Sequence, residues 1–495
     1  MESLMNMEGS CPAPYAKLSP GLNRIPGNLR SIHLMGICGV GMSSLAGILT
    51  EKGYTITGSD QNTYPPISTF LERLSISVKK GYSPSNLYPE PDLVIVGNVI
   101  TKDNPEAGEL LQLDIPYLSM PQALKKFAME GKKSIVITGT HGKTTVSALT
   151  AWILEVAGMD PSFMIGGIPK NFNRNFKLGS GTYFVIEGDE YDTAFFDKGP
   201  KFLHYDPYVA AITSIEFDHA DIYRGIEEIV DSFSRLIQLV PEEGALCVNG
   251  DDPILGDLIK RAQCPLLTFA MQRDADFTLR DRASKNGRTN FTIVRRGEEY
   301  LRVATDLFGN HSISNILASV AISSLIGIPR ETIAEAIESF KGVKRRLEFL
   351  GEHNGIIVVD DFAHHPTAVR ETIAAVKGLY KNRRLIAVFE PRSNSSRRNI
   401  FQVAYASSFD DADLVILPEP PMMDTIPVGE RFSSAKLVHD LNERDVEAHH
   451  FQNNDALLDG IVALTRKGDV ILIMSNGAFD NIQQRLITML EEKGL

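Results

Sequence analysis

Along the 495-residue chain, short β-branched apolar runs alternate with segments whose apolar residues recur every three or four positions, in three successive blocks. That alternation predicts parallel α/β sheets. The first block opens with "SIHLMGICGVGMSSLAGILTEKGYTITGSD" (31–60), which reads as strand, glycine-rich turn, helix and a second strand ending at Asp60; it continues through "PDLVIVGN" (91–98). The second begins with the strand "SIVIT" (134–138) and a helix carrying Val146, Leu149, Ile153 and Leu154 on one face. It holds the strands within "TYFVIEGDEYD" (182–192) and "YVAAITSIEFDHADIY" (208–223), and closes with helices around 311–327 and 331–340. The third holds "GIIVVDDFAHHP" (355–366), "RLIAVFEPRSN" (384–394), "ADLVILPEP" (412–420) and "DVILIMSNGAFD" (469–480), each a strand with polar residues at its C-terminal end. Ligands of open parallel sheets bind beyond those ends, so the placement itself points to sites. The expected divisions are a loose N-terminal extension at 1–30 and domains at 31–130, 131–343 and 344–495.

The junction between the first strand and helix of the second block, "ITGTHGKTT" (137–145), has the chemistry of a phosphate loop in a shortened form, G-x-x-G-K-T. Small residues let backbone N–H groups converge on an anion, and the helix that follows offers its N-terminal dipole. Lys143 would reach the β/γ-phosphates of ATP, and Thr144 would offer its hydroxyl to Mg²⁺. Two acidic clusters end the next strands: Glu187, Asp189 and Glu190, then Asp218 with His219. Hard oxygen ligands with one imidazole suit Mg²⁺ or Mn²⁺. In the first block Gly36, Gly39 and Gly41 follow a strand and open a helix, and Asp60 lies where an acid would hold a ribose. Their order, G-x-x-G-x-G, is not the dinucleotide fingerprint, and a pyrophosphate-bearing ligand other than NAD fits as well. Cys38, inside this turn, reads as a small packing residue.

Composition narrows the class. A hydrophobic content of 43% and a charged content of 23% are those of a globular protein, and a net charge of −12 argues against nucleic acid as a partner. No apolar run approaches a membrane span, and the N-terminus lacks the order of a signal peptide. A cytoplasmic location without membrane insertion is expected. Four cysteines without C-x-x-C spacing suggest neither a disulfide framework nor a cysteine zinc site.

Taken in order, "TGTHGKTT", "EGDEYD", "EFDHAD", "GNHSISN", "RRLE" and "DDFAHHPTA" resemble the Mur ligases over about residues 31–490. The resemblance implies three domains: an N-terminal Rossmann-like UDP-sugar domain, a central P-loop ATPase-like domain and a C-terminal Rossmann-like domain that takes the acceptor peptide. It implies an ATP-dependent ligase that forms an amide through an acyl phosphate. "GICGVGMSSLA" and "GSD" resemble the branch using UDP-N-acetylmuramate, which implies contacts from Gly36, Gly39, Val40, Gly41, Met42, Ser59 and Asp60. "YPPIST", "FFDKGPKFLHYDP", "EPRSN" and "MSNGAF" resemble members that attach the recycled tripeptide L-alanyl-γ-D-glutamyl-meso-diaminopimelate. The implied substrates are therefore UDP-N-acetylmuramate and the murein tripeptide, for a monomer or weak homodimer.

Carried over residue by residue, the resemblance implies ATP contacts from Gly139, Thr140, His141, Gly142, Lys143, Thr144, Thr145, Asn315, Arg346 and Asp361. It implies Lys143, Glu187 and His219 as catalytic residues and Thr144, Glu187 and His219 as metal ligands. Two departures stand out: no lysine lies between Lys201 and Lys260, where other branches carry a carbamylated one, and Ser312 replaces the usual asparagine of the adenine motif. His364 and His365 either face substrate or orient the loop after their strand. Arg392, with Ser475 and Asn476 of the "MSNG" loop, is expected to grip the peptide's carboxylates, since guanidinium pairs with carboxylate in a planar fork; the arginines of "SSRRN" are the competing pair. Two other functions share these features, a UDP-N-acetylmuramate:L-alanine ligase and a non-catalytic nucleotide or UDP-sugar sensor.

Overall fold

The structure, a computed structural model, describes residues 18–65, 67–285 and 287–493. Most of the expected N-terminal extension, residues 1–17 with Cys11, lies outside the described residues. The chain divides into two compact units, one running to Ala128 with Asp192–Gly199 added, the other made of Met129–Tyr191 and everything from Pro200.

The first unit is a five-stranded, wholly parallel sheet in the spatial order Ser77–Lys80, Thr55–Asp60, Ser31–Met35, Leu93–Val96, Tyr117–Ser119. Chain order reverses direction between Ser31–Met35 and Leu93–Val96, the kind of switch point beside which such sheets bind ligands. The helix Val40–Glu51 is buried from Met42 to Leu49. Met35, Val94, Val96, Leu110 and Tyr117 form a core to which Leu18 also belongs. Asn23 donates to the carbonyl of Tyr117 at 3.0 Å. From Leu18 onward, then, the segment expected to be loose is fastened to the first sheet, because a buried leucine and a side-chain amide tie it down.

The second unit holds two sheets with separate cores. Six parallel strands, in the order Leu266–Phe269, Ala245–Asn249, Pro207–Ile212, Lys133–Thr138, Tyr183–Gly188, Ser162–Met164, form the middle of a ten-stranded sheet. The helices Lys143–Val156, Asn310–Leu325 and Arg330–Ser339 pack on it through Leu149, Ile153, Ile316, Val320 and Ile337. An antiparallel meander, Phe277–Lys285, Arg288–Arg295 and Glu298–Thr305, extends one edge, where the block pattern predicted only parallel strands. Its period is two: Phe291, Ile293, Leu301 and Val303 point inward while Arg280 and Arg302 are exposed. Arg296 and Gly297, both at positive φ, make the tight turn between its last two strands.

The other sheet has six strands, in the order Glu348–His353, Ile356–Asp361, Val470–Met474, Leu385–Phe389, Leu414–Pro418, Glu447–Phe451, with only the first antiparallel. Apolar side chains cover both its faces, which is why its strands read as unbroken apolar runs. No helix among the described residues is long and apolar enough to cross a membrane.

Candidate active site

The shortened phosphate loop joins the strand Lys133–Thr138 to the helix Lys143–Val156. Both of its glycines sit at positive φ, Gly139 at 123° and Gly142 at 84°, and neither has room for a side chain. A Cβ on Gly139 would lie 2.3 Å from Thr213 Oγ1, and one on Gly142 would lie 2.4 Å from Asn315 Oδ1. Thr140 and His141 spend their N–H groups on Ser214, donating to its carbonyl at 2.9 Å and its hydroxyl at 3.1 Å. The N–H of Val146 already bonds Gly142. The amides left for an anion therefore include those of Lys143, Thr144 and Thr145, in the first turn of the helix.

Four charged side chains meet above that turn. Lys143 Nζ lies 3.0 Å from Glu190 Oε2 and donates to the carbonyl of Gly139 at 2.6 Å. Glu190 is 3% exposed, and its other oxygen is 3.2 Å from His219 Nε2. One buried carboxylate thus holds both the lysine and the imidazole that the sequence nominated. Burial alone would raise the carboxyl of Glu190, but the Lys143 charge and the His219 contact bring it down to about 2. Burial pulls Lys143 and His219 down as well, and Glu190 more than offsets it, so both sit above their usual values. Beside them Thr144 donates to Glu187 Oε2 at 3.0 Å, and the N–H of Gly166 donates to Glu187 Oε1 at 2.6 Å. Burial and the Asp189 charge push the carboxyl of Glu187 up, a strain that a cation would relieve.

The loop ahead of the strand Glu348–His353 and the loop after Ile356–Asp361 complete this wall. Arg346 donates to Thr144 Oγ1 at 3.1 Å and lies 4.6 Å above the ring of Phe362. Asp361 accepts from the N–H groups of Leu347 and Ala363, both at 2.7 Å, so its carboxylate locks the turn that carries Arg346. His365 caps the helix Pro366–Leu379, taking the N–H of Thr367 at 3.3 Å, and its other ring nitrogen lies 3.2 Å from the carbonyl of Phe217. These two bonds are of the kind that the loop-orienting reading of His365 calls for. His364 lies 4.0 Å from Asp218, and burial lowers its pKa. Asn315 and Ser312 are both buried, on the inner face of the helix Asn310–Leu325.

A separate corner gathers the expected peptide-binding residues. Ser475 Oγ donates to Glu390 and accepts from the N–H of Gly477 at 3.0 Å; Arg345 donates to the carbonyl of Ser475 at 2.6 Å. Asn476 Oδ1 is buried without a hydrogen-bond partner among the described residues. Arg392 extends across Gly477, where a Cβ would lie 2.1 Å from its Cδ, and uses one amino group on Glu390 at 3.4 Å. The competing arginines are otherwise occupied: Arg397 is buried and donates to the carbonyl of Met422 and to Asn394 Oδ1, and Arg398 pairs with Glu430.

In the first unit the glycine-rich turn closes on itself. Gly36 and Ile37 donate to the carbonyl of Ser59, Cys38 donates to Asp60 Oδ2 at 2.9 Å, and Asp60 Oδ1 accepts from Asn62 at 2.8 Å. Asp60, expected to face a ribose, thus uses one bond to each carboxylate oxygen to anchor the turn. Ser59 Oγ bonds the buried Glu106 at 2.5 Å. What the turn presents outward is the start of the helix, where the amides of Val40, Gly41 and Met42 have no intrahelical acceptor. Burial raises the Cys38 thiol to about 11, in keeping with a packing role.

Three family models match in register with this architecture: Mur ligase family, catalytic domain, over residues 31–132; Mur ligase middle domain over 137–323; and Mur ligase, glutamate ligase domain, over 345–477. A UDP-N-acetylmuramate–L-alanyl-gamma-D-glutamyl-meso-2,6-diaminoheptandioate ligase of Escherichia coli is 39% identical across 93% of this chain and 98% of its own. The chain belongs to the Mur ligase family. Another relative of this Mur ligase, a UDP-N-acetylmuramate–L-alanine ligase of Sulfurihydrogenibium, is 34% identical over 94% of the chain and 99% of its own. The crystal structure of a murein peptide ligase from Psychrobacter arcticus superposes with a TM-score of 0.73 at 33% identity, covering 93% of this chain and 99% of that one. Members of the family are ATP-dependent ligases that form amide bonds.

The residues present fit a hard divalent ion. Thr144 and Glu187 offer adjacent oxygens at the mouth of the phosphate loop, and the raised carboxyl of Glu187 calls for positive charge. Sequence reasoning nominated Glu190 only as one acid in a cluster and passed over Glu390 and Arg345. For Glu390 the available signal was its position at a strand end, directly after Leu385–Phe389.

Proposed function

We propose that this Mur ligase joins L-alanyl-γ-D-glutamyl-meso-diaminopimelate to UDP-N-acetylmuramate at the expense of ATP. The observation that carries the tripeptide reading is the acceptor corner: a guanidinium at Arg392, with donors to spare, laid over a glycine whose missing side chain makes the room. A free alanine brings one carboxylate, whereas the tripeptide brings several, and a planar fork is suited to them. The relatives point the same way: the E. coli and Haemophilus influenzae tripeptide ligases are 39% and 36% identical to this chain, ahead of the alanine ligases at 31–34%.

In this reading the first chemical step transfers the γ-phosphoryl group of ATP to the lactyl carboxylate, and the tripeptide's free amine then attacks the acyl phosphate and expels phosphate. The amides of Lys143, Thr144 and Thr145 hold the phosphate oxygens at the helix N-terminus, and the Lys143 ammonium neutralises charge that builds during transfer. Glu190 keeps that ammonium protonated and aimed inward. A bound Mg²⁺, held by Thr144 and Glu187 with His219 near a second ion, would supply further charge compensation. Arg346, fixed between Thr144 and the Phe362 ring, places a second permanent cation at the nucleotide. Phosphoryl transfer depends on such positioning more than on covalent help from the protein.

A sensor without chemistry would not need Lys143 and His219 held on one buried carboxylate beside a Thr144–Glu187 pair. Mass analysis of the product formed with equal concentrations of tripeptide and L-alanine tests the reading. The tripeptide adduct should predominate; predominance of the alanine adduct would move the protein to the alanine-ligase branch.

A further inference from the structure

Beside the phosphate loop, but apart from Thr144 and Glu187, three potential metal ligands converge: His141, Glu216 and His365, whose donor atoms all lie within 4.8 Å of one another. They come from three segments, the phosphate loop, the stretch after the strand Pro207–Ile212, and the loop that enters the helix Pro366–Leu379. We propose that this trio is a binding site for a first-row transition ion of the Zn²⁺ class, pinning the phosphate loop to the six-stranded sheet's domain.

The spacing is that of a site one small step from closure. A tetrahedral ion with bonds of about 2.0–2.1 Å separates its ligand atoms by about 3.3–3.4 Å. His141 Nε2 lies 3.4 Å from Glu216 Oε1, and His365 Nδ1 lies 3.6 Å from Glu216 Oε2. Both separations are too long for a good hydrogen bond and close to the ligand spacing around one cation, although they fall on different oxygens of the carboxylate, so a small turn of Glu216 would bring one oxygen to both imidazoles. His141 Nε2 is buried and has no hydrogen-bond partner among the described residues. With Nε2 lying 3.2 Å from the carbonyl of Phe217, Nδ1 is the ring nitrogen turned toward Glu216, and an ion there would take the lone pair that now accepts the N–H of Thr367 at 3.3 Å. Binding therefore exchanges the long cap bond from Thr367 for a bond to the ion, while the Thr367 hydroxyl, donating to Glu216 Oε2 at 2.6 Å, leaves Oε1 open.

Two imidazoles and one carboxylate, with a fourth position for water, form a donor set that suits Zn²⁺, Co²⁺ or Ni²⁺ and does not suit Mg²⁺. Because the ligands span two parts of the fold, a bound ion would oppose their separation.

The test is a Co²⁺ titration of the full chain, followed by visible absorption. The expected result is the intense band of a four-coordinate site at about one ion per chain, abolished by Zn²⁺ and unaffected by millimolar Mg²⁺. Glu216→Gln, nearly isosteric, should weaken Co²⁺ binding at least about tenfold, and His141→Ala should do the same. His219→Ala, at the separate ligand set, should leave the band in place. Absence of the band in the wild-type chain, its survival in both Glu216→Gln and His141→Ala, or its loss in His219→Ala would overturn the assignment. Circular dichroism of each variant separates loss of the site from loss of the fold.

Discussion

Gly477→Ala offers a sharp test of the acceptor corner, because the substitution adds a single methyl group at a position whose backbone does not require glycine. Gly477 is not among the residues at positive φ, so alanine carries no conformational cost there. The added Cβ would lie 2.1 Å from both Cδ and Nε of Arg392, which no rigid arrangement allows. The methyl group must displace the guanidinium, and a flexible side chain yields at small cost, so the thermal midpoint should change little. What is lost is the position from which Arg392 meets a carboxylate. A hydrogen bond to a charged group contributes about 1.5–3 kcal/mol, which corresponds to a rise in tripeptide KM of roughly 10- to 150-fold. Steady-state kinetics with each substrate varied in turn should show that rise with little change in the KM for ATP. Arg392→Ala should give the same phenotype, and the double variant should be no worse than either single one, because the methyl group then has nothing to displace. Additive effects, or an unchanged tripeptide KM in Gly477→Ala beside a raised one in Arg392→Ala, would refute the reasoning.

Lys143→Ala should lower turnover by at least about 10²-fold, since it removes a charge that acts during phosphoryl transfer; ATP-dependent turnover close to wild type would contradict the loop assignment. Glu190→Gln should shift the acidic limb of the kcat/KM profile to lower pH. Glu190 raises His219, the neutral imidazole is the ligating form, and removing the carboxylate lowers the pH at which that form appears; an unmoved or upward-shifted limb would exclude this coupling. Asp360→Asn probes stability. Burial, only partly offset by Arg345, pushes the Asp360 carboxyl up to about 6, so the native state holds its proton more tightly and loses stability as pH rises from about 4 through 6. The variant has no such proton, and its stability relative to wild type should grow across that window by up to about 3 kcal/mol, read from urea midpoints at pH 4 and pH 7.

The parallel strands and their helices were legible because unbroken apolar runs ending in polar clusters have few other interpretations. The phosphate loop was legible for a related reason: Gly139 and Gly142 stand where only glycine has both the conformation and the room. The meander from Phe277 to Thr305 was not, because its period-two pattern is diluted by charged residues on the exposed face, and Arg296-Gly297 is a weak turn signal beside the strong alternation around it. Asp60 shows what spacing alone leaves out, since its position suggested a ribose and the folded chain adds that its carboxylate also holds the turn. Glu190 and the trio of His141, Glu216 and His365 draw on segments far apart in sequence. Their meaning depends on which lone pairs face one another, and only the folded chain specifies that.

The most direct test of the central claim is phosphate release from ATP by the purified chain with Mg²⁺ and UDP-N-acetylmuramate, comparing the L-Ala-γ-D-Glu-meso-diaminopimelate tripeptide with free L-alanine. Release with the tripeptide and little or none with alanine is the predicted result. Release with alanine alone, or with neither acceptor, would contradict it.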